Sequence, residues 1–148
     1  MYQIYCDNEL VYDPRDAAVA IIEGKVSLET NKTGELRFAL PICHPFAGRI
    51  KKLTSVLRVM IDEEELFCGR LLDVETDMYG TGTYTCEGEM AYLLDSIQRP
   101  KEYHDLTPRS YLQDKLAQHN SQVEDAKKFT LGLVEKSSMN YESRQDNQ

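Results

Sequence analysis

Up to about Gly88 the apolar residues of this chain tend to recur at every second position, and beyond it they recur at helical spacing. Alternation sends successive side chains to opposite faces of a strand, whereas i, i+3, i+4, i+7 spacing lines one face of a helix, so the two stretches call for different architectures. Over Lys25–Thr30, Val26 and Leu28 share one face while Ser27 and Glu29 share the other. Asn31–Gly34 supplies turn chemistry, and Leu36, Phe38 and Leu40 resume the alternation. This is a hairpin pattern. Pro41 and Pro45 break the ladder, so Ile42–Leu53 (ICHPFAGRIKKL) is expected as a loop with a short helical turn. Ser55–Ile61 reads as the next strand, and the acidic turn Asp62–Glu65 leads back through Leu66–Thr76. Gly80 and Gly82 then mark a turn before Thr83–Gly88. Short strands with frequent turns predict a small barrel or sandwich.

In Glu89–Ile97 the residues Met90, Leu93, Leu94 and Ile97 fall on one helical face, and Arg99-Pro100 ends that segment. A stronger helix start follows, with Thr107 as N-cap and Pro108 at the first helical position. Leu112, Leu116 and Val123 would line one face as far as Val123. Phe129–Val134 reads as a short apolar strand, and the polar run from Glu135 to Gln148 as a frayed tail.

With 148 residues the chain fits one domain, or one domain and the opening of a second. Hydrophobic residues at 41% and charged residues at 28% suit a soluble globular chain with one modest core. Seventeen Lys+Arg against 25 Asp+Glu give a net charge of -8, which disfavours the phosphate neutralisation on which nucleic-acid affinity rests. No apolar run is long enough to cross a bilayer, and MYQIYCDNEL lacks the basic lead and apolar run of a secretory signal, so synthesis in the cytoplasm is expected.

The chemistry-bearing residues do not form a recognisable motif. Cys6, Cys43, Cys68 and Cys86 are far apart without a C-x-x-C, and Cys43-His44 is half a zinc site with no second half. Buried or half-buried free thiols in strands are expected. His44 and His104 are placed in loops and His119 in a helix. Tyr103-His104-Asp105 could supply a base and an orienting carboxylate, but no nucleophile accompanies it and a surface loop is the expectation. Asp62–Glu65 is read as a solvated hairpin tip rather than a cation site, and Gly80-Thr81-Gly82 as a turn. Nine tyrosines could form a glycan- or peptide-binding face, although strand tyrosines such as Tyr84 fit a half-buried sheet. No catalytic, cofactor-binding or metal-binding residue is singled out, and no enzyme is expected.

Three stretches in order carry a family resemblance. Ile42–Leu53 has His-Pro followed by I-x-x-L. Glu65–Pro100 (ELFCGRLLDVETDMYGTGTYTCEGEMAYLLDSIQRP) carries G-R-L, then T-C-E-G, then L-L-D-S-x-x-R-P. Thr107–Val123 (TPRSYLQDKLAQHNSQV) carries T-P, a spaced Leu and H-N. Together they resemble the N-terminal region of phage minor structural proteins, the tail-associated lysin or tail-tip hub proteins of long-tailed phages. The resemblance implies a mixed α+β, mainly β fold: an antiparallel barrel-like tube domain over residues 1–100, part of a second α+β domain over 101–138, and a disordered tail over 139–148. It also implies a structural role at the virion tail tip, in a ring that is a homotrimer in the full-length protein and joins the distal tail protein to the tape-measure protein. Lytic or receptor-binding activity, where the family has it, sits in C-terminal extensions. The chain stops where the family continues, so it is expected to be a trimmed, truncated or degenerate product, and a lone barrel to be monomeric in dilute solution.

DNA passes such a ring during ejection, and an acidic wall would let it slide. Asp62, Glu63, Glu64, Glu65, Asp73, Glu75 and Asp77 are the candidates to face that channel, against the alternative that they are solvated tips and that Lys25, Lys32, Lys51 and Lys52 line it. Two rival readings stand beside the structural one: a Tyr-rich β module that binds cell-wall glycan or peptide, and a peptidoglycan hydrolase with an unrecognised site.

Overall fold

A computed structural model describes residues 1–136 and the backbone of residues 141–144. The fold is mixed and mainly antiparallel β, with a curled half-barrel sheet. The chain packs as two units, Met1–Ala91 and Tyr92–Gln148.

The first unit is one sheet of β1 (Tyr2–Cys6), β2 (Glu9–Tyr12), β3 (Glu23–Ser27), β4 (Glu35–Leu40), β5 (Val56–Ile61), β6 (Glu64–Thr76) and β7 (Gly82–Gly88). Their spatial order is β2-β1-β5-β6-β7-β4-β3, so β2 and β3 are the free edges. The β5–β6 turn is the expected acidic one, with Asp62 and Glu63 at φ 47° and 74°. Two successive positive φ values give a hairpin turn whose twist matches the flanking strands. The β1–β2 hairpin was not anticipated, although Asp7 and Asn8 at φ 49° and 71° make the same kind of turn from residues that tolerate it.

Alternation sorts the two faces as expected. Leu36, Phe38 and Leu40 of β4, Leu57 and Val59 of β5, Phe67 and Leu71 of β6, and Tyr84 and Cys86 of β7 bury into one core. The Phe38 and Tyr84 rings stack with centroids 5.2 Å apart. Bulges in β6 between Leu71 and Asp73 and in β5–β6 pairing near Val59 bend the sheet. The loop after β4 is a run of turns, with His44 N–H donating to the Pro41 carbonyl and Ala47 N–H to that of His44. It buries Phe46 and Ile50, and Gly48 N–H donates to the Tyr84 hydroxyl at 3.1 Å. Leu28, expected on the buried face with Val26, is 52% exposed because β3 ends at Ser27 and the chain leaves the sheet there.

A 3-10 turn, Glu89–Asp95, replaces the helix expected over Met90–Ile97. Met90, Leu93, Leu94 and Ile97 are exposed, while Ala91 and Tyr92 are buried, because three residues per turn rotate the faces away from those of an α-helix. In the second unit, β8 (Glu102–Leu106) precedes α1 (Pro108–Asn120). The Thr107 hydroxyl accepts from Ser110 N–H and Pro108 opens the helix, as expected. The buried face differs from expectation: His119 is 1% exposed while Leu112 is 40% exposed. The inward face is the one on which Asp114 accepts from the Tyr103 hydroxyl and from Gln118, and His119 bonds Ser96, not the one that carries Leu112. Residues 128–136 contain no strand, which corrects the expectation for Phe129–Val134; Asn120 side-chain bonds take the Phe129 backbone groups a ladder would need. The backbone of β9 (Tyr141–Arg144) pairs with β8, within the stretch expected to fray. The rest of the expected disordered tail lies outside the described residues.

Candidate functional site

Cys43 and His44 do not act together. Cys43 is exposed in the loop after β4, not in a strand, whereas His44 is buried with Nδ1 accepting from Phe46 N–H at 3.2 Å. Its Nε2 is buried without a hydrogen-bond partner among the described residues. The other thiols lie in strands. Cys6 and Cys86 are buried and Cys68 is half-buried. Burial pushes Cys6 and Cys68 up to about 11 and Cys86 up to about 12, so all three stay protonated and are poor nucleophiles. Among the described residues no group of His, Cys, Asp and Glu is arranged to hold a metal ion.

Tyr103-His104-Asp105 lies in β8, not in a loop, because Glu102–Leu106 pairs with β9. Tyr103 is 2% exposed; alternation turns His104 to the opposite face, and the irregularity between Tyr103 and Leu106, where Asp105 has φ 53°, leaves Asp105 exposed as well. The Tyr103 hydroxyl donates instead to Asp114 Oδ2 at 2.5 Å, and Lys101 Nζ donates to Asp114 Oδ1 at 2.7 Å. Lys101 and Tyr103 hold the Asp114 carboxyl down at about 2, and burial beside that carboxylate raises Tyr103 to about 12. Near neutral pH Asp114 is therefore charged and Tyr103 neutral.

The pair that sequence reading missed is Ser96 and His119. Ser96 Oγ lies 2.7 Å from His119 Nδ1, and His119 Nε2 lies 3.0 Å from the Lys127 carbonyl. A carbonyl can only accept, so Nε2 carries the proton, and in the neutral ring Nδ1 accepts the Ser96 hydroxyl. A serine–imidazole contact is also how a hydrolytic nucleophile is activated. Here the neighbouring Ile97 N–H, which could otherwise face a developing oxyanion, donates to Gln122 Oε1 at 3.1 Å, and Gln122 Nε2 returns a bond to the Ile97 carbonyl at 2.9 Å. Asn120 does the same for Phe129, and Gln118 accepts from Arg99 N–H. The end of α1 thus works as a clamp whose amide side chains stand in for missing strand partners.

The acidic residues are exposed: Asp62 and Glu63 at the turn tip, Glu64, Glu65, Asp73 and Glu75 along β6, and Asp77 at the next turn. Several are matched locally. Asp62 bonds the N-terminal ammonium, Asp73 bonds Lys52, and Glu65 sits 3.6 Å from Arg58. Gly80-Thr81-Gly82 is a turn and the start of β7, with Gly80 at φ 81°.

The concave feature best suited to binding is a cleft of about 520 Å³ that reaches both edge strands. Tyr2, Ile4 and Tyr12 line one side and Ile21, Lys25 and Val26 the other, over a floor that includes Leu36, Val59 and Leu66. Two of the nine tyrosines therefore lie in one apolar groove, whereas Tyr84 is a core residue. The only cue in the sequence was tyrosine abundance. No protein-family model matches this chain, and no curated protein matches it.

Proposed function

We propose that this chain is a non-enzymatic structural piece of a phage or prophage tail tip, a baseplate-hub component made in the bacterial cytoplasm. In that role it contributes to a ring, homotrimeric in the full-length protein, that joins the distal tail protein to the tape-measure protein. One observation carries the reading: the motif residues are partners of one another. Arg70 of G-R-L pairs with Glu87 of T-C-E-G at 2.8 Å, Gly69 lies opposite Gly88, and Ser96 of L-L-D-S bonds His119 of H-N. None of these lines the apolar cleft. Residues that recur in order but support each other's backbone suit a scaffold better than a reaction centre. The acidic-wall idea belongs to this proposal, with Glu63, Glu64, Glu75 and Asp77 the candidate carboxylates that have no ion pair among the described residues and so the ones most available to a channel.

The placement of Tyr2 and Tyr12 in the cleft favours the rival reading, a module that binds cell-wall glycan or peptide. Mixing the chain with a phage distal tail protein, and separately with isolated cell walls, distinguishes the two. Co-migration with the tail protein and no retention on walls is the expected result. Retention on walls without co-migration overturns the proposal in favour of the Tyr-rich module, and release of peptidoglycan fragments overturns it in favour of a hydrolase.

A further inference from the structure

The two strands that end the sheet are not equally protected. β2 is four residues long, and its pairing with β1 slips between Ile4 and Tyr5. A short edge with an irregularity is a poor template for another chain. β3 pairs with β4 in unbroken register from Glu23↔Ala39 to Ser27↔Glu35, and Glu23, Gly24 and Lys25 are exposed. In an antiparallel ladder every second residue of an edge strand aims its N–H and C=O away from the sheet. Every residue from 21 to 26 lines the apolar cleft. One face of a strand would contribute only alternate side chains, so it is the free edge of β3 that borders the cleft.

The sequence of that edge is complementary to itself. Antiparallel pairing of two β3 strands about a two-fold axis at Gly24 sets Glu23 opposite Lys25 on both sides of the axis. Gly24 then meets Gly24, and no side chain stands between the strands there. On the core side Ile21 Cδ1 lies 3.0 Å from the place a Gly24 Cβ would take, which brings an apolar group from each copy to the axis. Ile22 N–H bonds the Ala39 carbonyl, so the edge continues one residue before β3. Moving the axis to Glu23 or to Lys25 sets like charges opposite each other, and a slip of one residue sets core-side residues against outer ones. Within the chain Lys25 stands opposite Arg37, a like charge, and a carboxylate on its other side offsets that repulsion. A lone Lys on an edge strand repels a second copy, whereas Glu23 across a glycine makes the same lysine select one.

We propose that the free edge of β3 pairs with β3 of a second copy, antiparallel about Gly24, with Glu23 of each chain against Lys25 of the other. The same surface is used twice, so the contact is isologous and closes at two copies. The inference rests on one strand and is independent of the tail-tip reading, whose ring needs three. The contact is confined to one strand of each copy, below the roughly 1,200 Å² of stable interfaces, so association is weak and shows at high concentration.

Sedimentation velocity of the full chain, up to about 1 mM protein, tests it, because weak self-association has a dissociation constant in the micromolar to millimolar range. The wild type should pass from monomer to dimer as concentration rises and stop there. Glu23→Lys and Lys25→Glu each create two like-charge pairs across the axis, and each alone should weaken dimerisation by at least about tenfold. An equimolar mixture of the two single variants should dimerise as the wild type does. So should the double variant that carries both substitutions, because opposite charges again face each other at both pairs. Both positions are exposed, and circular dichroism checks that the fold persists. Amide hydrogen exchange in β3 should slow as the wild-type dimer forms. A wild type that stays monomeric throughout, a single variant that dimerises as well as the wild type, or a double variant that does not dimerise overturns the proposal. A dimer whose β3 amides exchange no more slowly overturns it too. A trimer in place of the dimer also overturns it, and leaves the ring of the tail-tip reading standing.

Discussion

At Gly88 an added Cβ would lie 1.8 Å from the Thr33 carbonyl oxygen, and at Gly69, its partner across β6 and β7, 2.1 Å from that of Glu87. Backbone, not a flexible side-chain end, occupies both places, so something rigid must shift. Gly88 N–H also donates to the Gly34 carbonyl at 3.2 Å, which ties the approach to the loop before β4. Gly88→Ala is expected to cost at least about 1–3 kcal/mol, the range for overpacking. Gly132→Ala meets nothing within 4 Å and should change stability by less than about 0.5 kcal/mol. Urea denaturation of the two variants checks the contrast; equal midpoints would mean the close approach at Gly88 does not constrain the fold.

At the scale of elements, α1 depends on polar contacts at both ends. Thr107 caps its first turn, and Thr107→Ala should cost about 1 kcal/mol. At the other end Asn120 donates to and accepts from the Phe129 backbone at 2.8 and 2.9 Å, so Asn120→Ala leaves two partly buried backbone groups unpaired. About 1–3 kcal/mol is expected for such a loss, with Asn120→Asp recovering the bond from Phe129 N–H and not the other. Amide hydrogen exchange at Phe129 reads the clamp directly. It should accelerate in Asn120→Ala, stay slow in Asn120→Asp, and remain unaffected by Thr107→Ala if the two ends act independently.

For the molecule as a whole, two buried or half-buried carboxylates set the response to acid. Hydrogen bonds from the Arg15 side chain and backbone, and from Gln3, hold Asp13 well below the usual carboxylate range. Lys101 and Tyr103 hold Asp114 at about 2 against an ordinary value of 3.8. A folded-state value below the unfolded one favours the native state fully above pH 3.8, and that contribution fades as pH falls toward 2. Urea midpoints should therefore fall steeply between about pH 4 and pH 2, and Asp114→Asn should flatten part of that slope while lowering stability at neutral pH. An unchanged slope in Asp114→Asn would assign the acid response to other groups.

What the sequence determined alone was local. Asp62-Glu63 made a hairpin turn, Thr107-Pro108 opened a helix, and alternation from Leu36 to Leu40 built a strand, because each depends on backbone preferences and neighbours a few residues away. The β1–β2 hairpin was equally local, and Asp7-Asn8 was its unread signal. Only the tertiary structure decided which face of α1 turned inward, since Ser96 and Lys127 bond His119 from 23 and 8 residues away. It also decided that tyrosines split between core and cleft, because Tyr2 and Tyr12 meet Ile21 and Val26 only once the sheet curls. Glycines at 69 and 88 read as ordinary punctuation until pairing set them opposite each other under a crossing backbone. No local window carries such information, because the partner that gives each residue its role lies elsewhere in the chain.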